Sequence, residues 1–170
     1  ERVCCGAGCV AELAREFIRE EVGIDVPSDS LIKAAMVNGA SCLGARDMPD
    51  AEEGWGQVNR ERTVLPVWDE SSPSTTALST FMDDNTPLDA GFGLLYAFEM
   101  DPSHGIDITL AWSDEAGSAN AAQNVGRLVN NLDLILVDPS GNEWYGNNFA
   151  NGFTTTAPIT DSLNNVERNK

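Results

Sequence analysis

The chain has 170 residues, of which 42% are apolar and 22% charged, a globular composition in a length suited to one domain or two small ones. Ten Lys and Arg stand against 27 Asp and Glu, a net charge of −17; so acidic a surface repels a polyphosphate backbone, and no nucleic-acid partner is expected. No apolar run reaches the ~18–20 residues of a membrane-spanning helix, and Glu1-Arg2 leads into Cys and Gly rather than a basic and then apolar leader, so no membrane partner is expected either.

The first element in chain order is a helix. Val10, Leu13, Ala14, Phe17 and Ile18 recur at helical spacing, with Arg15, Glu16, Arg19 and Glu20 on the other face, which predicts a helix over residues 8–22 ended by Gly23. Pro27-Ser28 then offers a helix start, Ser28 as N-cap and Asp29 favourable in the first turn. The run Leu31-Ile32-Lys33-Ala34-Ala35-Met36-Val37 is apolar nearly all round, so this helix is expected to be buried on most sides. From Asn38 to Asn59 the pattern breaks into Gly, Pro and acidic residues. Gly54-Trp55-Gly56 reads as a tight backbone path around a large buried ring, a packing device rather than a ligand site.

Ser71-Ser72-Pro73-Ser74-Thr75-Thr76 has the composition of a linker and places a boundary near residues 60–75, dividing the chain into segments 1–65 and 66–170. Beyond it apolar residues recur at every second position: Phe92, Leu94, Tyr96, Phe98 and Met100, then Ile106, Ile108, Leu110 and Trp112. These predict half-buried strands. A third run, Leu132 to Val137, meets Asp138-Pro139-Ser140-Gly141 and continues into Glu143-Trp144-Tyr145, a hairpin signature. The expected class is α+β: helices, then an antiparallel β-sandwich or jelly-roll barrel.

Candidate chemistry is sparse. Cys4, Cys5, Cys9 and Cys42 have no zinc-ligand spacing and are expected to be structural or incidental, their disulfide state open. His104 is the one histidine and reads as a solvated turn residue. Pairing it with Cys9 or Cys42 for nucleophilic catalysis is rejected, because Cys9 falls on the first helix and no signature surrounds either thiol. Asn130, Asn131, Asp133, Asp138, Asn142, Asn147, Asn148, Asp161, Asn164 and Asn165 could supply the about six to eight oxygens that calcium takes, or could simply form turns. Trp68, Trp112 and Trp144-Tyr145 could line a carbohydrate-binding face, although Trp112 falls on the apolar stripe of its strand.

Several motifs then point to a family. Ala7-Gly8-x-Val10-Ala11-x-Leu13, Lys33-Ala34-Ala35-Met36-Val37-Asn38-Gly39-Ala40 and Gly54-Trp55-Gly56-Gln57-Val58-Asn59 resemble the end of the catalytic domain of a subtilisin-like serine protease (subtilase). Leu110-Ala111-Trp112-Ser113-Asp114, Leu128-Val129-Asn130-Asn131-Leu132-Asp133-Leu134, Pro139-Ser140-Gly141, Gly146-Asn147-Asn148-Phe149 and Asn164-Asn165-Val166-Glu167 are similar to the β-barrel that follows it in one subtilase branch. The resemblance, running from about residue 7 to residue 167, implies a C-terminal portion of a serine endopeptidase, extracellular and often calcium-stabilised. Laying Ala7-Gly8 on the family's G-T-S-M-A-x-P-x-x-A-G puts the nucleophilic serine one position before Glu1, and residues 1–6 do not match that motif. The catalytic Asp, His and Ser, and the oxyanion-hole Asn, are thus expected outside these residues. No catalytic residue is assigned and the chain alone is expected to be inactive. Its expected partner is the rest of the catalytic domain, which would cover the apolar helices and act on protein or peptide substrates; the barrel is expected to lack its last strand. A non-catalytic calcium- or carbohydrate-binding β-sandwich module is the alternative.

Overall fold

Val10, Ala14 and Ile18 lie on one buried face of a helix, α1 (Gly6–Phe17), that continues as a π-helical turn over Ile18–Val22. The computed structural model describes residues 6–44, 47–50, 52–64, 80–100, 105–118 and 126–170. Gly23 ends the helix in the left-handed region at φ 83°, where a side chain would be strained, and its N–H bonds to the Ile18 carbonyl. Leu13, expected on the buried face, is 40% exposed, because that face is only as wide as the neighbouring helices cover.

Helix α2 (Asp29–Gly39) starts where Pro27-Ser28 predicts: the Ser28 hydroxyl accepts from the Leu31 N–H at 3.0 Å. That cap is held in turn, since the Ser28 hydroxyl and N–H both donate to Asp84, at 2.6 and 2.8 Å. Leu31, Ile32, Ala34, Ala35 and Val37 are all buried, as an all-round apolar helix requires. A short helix, α3 (Arg60–Val64), is capped by Asn59, whose side-chain oxygen accepts from the Arg62 N–H. Ala14, Ile18, Leu31, Ile32, Ala35 and Val64 form the hydrophobic core, edged by Phe17, Met36 and Met82.

Between α2 and α3, Ser41 and Gln57 exchange backbone hydrogen bonds at 2.9 and 2.8 Å. Gly56, at φ 96°, lies where a Cβ would sit 2.7 Å from the Ser41 carbonyl oxygen. The tight path expected around Trp55 is therefore real, but the ring is only half-buried.

The strands pair antiparallel throughout. β1 (Ile108–Ala111) pairs with β6 (Val166–Asn169), β2 (Ile135–Val137) with β3 (Glu143–Tyr145), and β4 (Phe149–Ala150) with β5 (Phe153–Thr154). The β2–β3 hairpin turns at Asp138–Asn142 with Gly141 at φ 85°, as the sequence predicts. Among the described residues these are three separate two-stranded sheets, not a closed barrel; the architecture is mixed helix and sheet. α2 packs directly on β1. The linker-like residues 71–76 lie outside the described residues.

One predicted strand does not form. Residues 92–100 are exposed and, among the described residues, lie outside any sheet, since an alternating pattern becomes a strand only when a neighbour takes the backbone N–H and C=O groups. Two of their rings gather on Phe81 instead: Phe81 lies 5.6 Å from Tyr96 and 5.5 Å from Phe98, centroid to centroid, and the Tyr96 hydroxyl donates to Asp83.

The α2–α3 contact allows no side chain at Gly39, where a Cβ would lie 2.5 Å from Thr63 Oγ1 and 2.7 Å from the Thr63 nitrogen. Gly39→Ala should cost about 1–3 kcal/mol by overpacking, read as a lower urea midpoint at unchanged slope.

Candidate functional site

The motif residues of the second half converge on β6, whose centre is polar. Glu167, Arg168 and Asn169 are each at most 1% exposed. Arg168 grips Asp107 with both arms of its fork, Nε to Oδ1 at 2.8 Å and Nη2 to Oδ2 at 2.6 Å. Its remaining arm, Nη1, donates at 3.0 Å to the Val37 carbonyl in the last turn of α2. A cation at a helix C-terminus meets the negative end of the dipole, and Arg168 shares the Val37 carbonyl with the capping Ala40 N–H, which donates to it at 3.2 Å. Asn38 completes the junction, donating to the Asp107 carbonyl and Thr109 Oγ1, each at 3.1 Å. Arg62 approaches Asp107 Oδ2 at 3.6 Å from the half-exposed side.

A second set of contacts locks β6 from below. Asn147, in the left-handed region at φ 59°, accepts from the Arg168 N–H at 2.9 Å and donates to Asp161 Oδ2 and the Val166 carbonyl at 2.7 Å each. Asp161 also accepts from Asn164 Nδ2 and from the N–H groups of Leu163 and Asn164. Burial works against its charge, but these donors outweigh it and hold its carboxyl below the ordinary value of 3.8.

The oxygen-rich residues mostly do structural work. Asp138 closes the hairpin by accepting from the N–H groups of Ser140 and Asn142. Asn131 donates to Asp133, and Asn148 to the Ala157 carbonyl. Asp114 accepts from the Val129 and Asn130 N–H groups and the Asn130 amide, while the Trp112 indole donates to the Asn130 carbonyl. Asn165 donates to the Trp112 carbonyl and accepts from Lys33 of α2 at 2.7 Å; desolvation lowers that ammonium's pKa. Among the described residues no three His, Cys, Asp or Glu side chains are grouped so that they could hold a metal ion.

Of the other candidates, Cys4, Cys5, Trp68 and His104 lie outside the described residues. Cys9 is disulfide-bonded, so its sulfur is no nucleophile. Cys42 donates to the Gly44 carbonyl. Trp112 and Trp144 are half-buried, neither laid out as an open platform. Trp55 lines two clefts: one of about 360 Å³ along α2, with Ile32, Met36 and Val58, and one of about 240 Å³ with Cys42, Met48, Phe149 and Lys170.

No protein-family model matches the chain. It is 33% identical over 160 residues to the serine protease/ABC transporter B family protein tagA of Dictyostelium discoideum, an alignment that takes in 89% of this chain and 9% of that protein. The chain thus spans about a tenth of the length of that relative. The likeness is to a region of a protein with a serine-protease name, and it runs through both the helical and the β segments.

Asp107 and Arg168 were not legible as a site, because Glu167-Arg168-Asn169-Lys170 reads as a surface run. Replacing Asp107 by Ala leaves Arg168 buried without its countercharge and should cost about 3–5 kcal/mol, whereas Asp107→Leu with Arg168→Met should recover much of that loss; urea denaturation of the three proteins measures both effects. Asn147→Gly keeps the left-handed backbone but removes the amide bond to Asp161, so the Asp161 titration followed by carbon NMR should move up toward 3.8. Because a depressed carboxyl stabilises the fold only above its unfolded pKa, the wild-type chain should lose that contribution as pH falls through the folded value, and the variant should lose less.

Proposed function

We propose that this chain is the supporting C-terminal portion of a subtilisin-like serine endopeptidase. On this reading α1, α2 and the Gly54-Trp55-Gly56 turn are the last pieces of a catalytic domain, and the β segment belongs to an appended jelly-roll domain clamped to them. The observation that carries the reading is the 33% identity to a serine-protease-named protein along one stretch spanning both segments. The motif resemblance points the same way and assigns the catalytic Asp, His and Ser to sequence outside these residues. The parent reaction is then peptide-bond hydrolysis through an acyl-serine, extracellular in setting, with this chain contributing rigidity rather than reacting groups. The Arg168 contact to the α2 carbonyl suits that role, since it ties a strand of one segment to a helix end of the other.

A fluorophosphonate probe tests the assignment. The 170-residue chain should remain unlabelled, while the longer native polypeptide should be labelled at a serine outside it; a labelled serine within residues 1–170 would overturn the reading. In the longer polypeptide Asp107→Ala should shorten the thermal half-life of proteolysis without slowing labelling of the folded enzyme at low temperature. If the longer polypeptide is not labelled and the isolated chain melts at a higher temperature with calcium or a glycan, the binding-module alternative takes its place.

A further inference from the structure

Strand β6 also buries a carboxyl group that no cation among the described residues neutralises. Glu167 is 1% exposed. Its Oε2 accepts from the Leu134 N–H at 2.5 Å, and its Oε1 has no hydrogen-bond partner among the described residues. The Leu134 carbonyl meanwhile accepts from the Gly146 N–H at 2.8 Å, so Glu167 bonds to the terminal rung of the β2–β3 hairpin. Gly146 holds it there: a Cβ on that glycine would lie 2.6 Å from Oε2 and 2.9 Å from Glu167 Cβ. The residue opposite Glu167 on β1 is the apolar Leu110.

Among the described residues the charge felt by Glu167 has one sign. Asp133, on the approach to β2, and Asp161, before β6, both disfavour a second negative charge at Glu167. The nearest cations in sequence are engaged elsewhere: Arg168 is committed to Asp107, and the ammonium of Lys170, just beyond β6, feels Arg168, Asp107 and Arg62. Asn169, which alternates with Arg168, donates to the Leu134 and Trp144 carbonyls and brings no charge. An ionised Glu167 would be a desolvated charge repelled from two sides; a proton removes both of those penalties and leaves the Leu134 N–H bonded to Oε2.

We propose that Glu167 is a proton-operated latch: carrying a proton it seats β6 against Leu134 and Gly146 of the hairpin, and on ionisation it loosens that seat. The inference stands whether or not the chain belongs to a protease. Burial, aided by Asp133 and Asp161 and opposed by the Leu134 N–H, pushes the carboxyl up to about 7. With the folded pKa above the ordinary 4.5, the stabilising contribution is complete below pH 4.5 and is lost as pH rises through 7. Asp161 acts in the opposite sense and in more acid solution, so the β segment should be tightest in mildly acid conditions.

The test is the melting temperature of the chain from pH 5 to pH 8, wild type against Glu167→Gln, with a carbon-NMR titration of the wild-type Glu167 carboxyl. The wild-type melting temperature should fall across this range and most of that fall should be absent in the variant, while the carboxyl titrates near neutrality. Faster amide exchange of Leu134 and Gly146 at pH 8 in the wild type than in Glu167→Gln would locate the loosening. A carboxyl that titrates below pH 5, or a variant that falls as steeply as the wild type, overturns the proposal. Should Glu167→Gln not fold, the wild-type titration decides alone, and Asp133→Asn should shift its midpoint downward if the latch is set as described.

Discussion

The bidentate ion pair between Asp107 and Arg168 is the constraint on which the rest of the arrangement depends. Taking a guanidinium out of water is costly, and the structure offsets that cost at every donor in use: two bonds to a carboxylate and one to a helix-terminal carbonyl. Those three bonds fix β6 against β1 and against the end of α2 at once. Because Asp107 is also approached by Arg62 and bonded through its carbonyl by Asn38, the pair lies where the helical and β segments meet. Hydrophobic burial holds the helices together, with Ile18, Leu31, Ile32 and Val64 at its centre. The β segment has little such burial, and among its described residues Val166 is the one buried aliphatic side chain.

That division explains what the sequence disclosed. Helix α1, the Ser28 cap, Gly23 as terminator and the all-apolar α2 were legible because each rests on local spacing or capping chemistry that the chain carries with it. The hairpin at Asp138–Asn142 was legible for the same reason. The run from Phe92 to Met100 was not, since its alternation describes a strand whose partner must come from elsewhere in space. Arg168 escaped notice because a polar run gives no periodic signal: its burial depends on Asp107, sixty-one residues away in sequence, and on a helix end farther still.

The two kinds of cement respond differently to conditions. The helical core follows the apolar surface it removes from water and is nearly indifferent to salt. The polar seam around β6 is governed by hydrogen-bond geometry and protonation, with its charges screened little because they are buried. A local opening should therefore begin in the β segment when protonation states change, leaving the helices in place.

Charge alternation along β6 has one more consequence. Neighbouring residues of a strand face opposite sides, so sliding β6 by a single position would turn Arg168 toward the hairpin and Glu167 toward the carbonyls at the end of α2. A carboxylate would then confront oxygen atoms that can only accept, and Asp107 would lose Arg168. An aliphatic strand of the same length would tolerate that slip, because either neighbour would fill the same space. Here the misaligned pairing is penalised by mismatched charge and mismatched donors together. The polar residues of β6 thus act as a key with one orientation, securing a unique alignment in a segment whose few buried aliphatic side chains would not secure it.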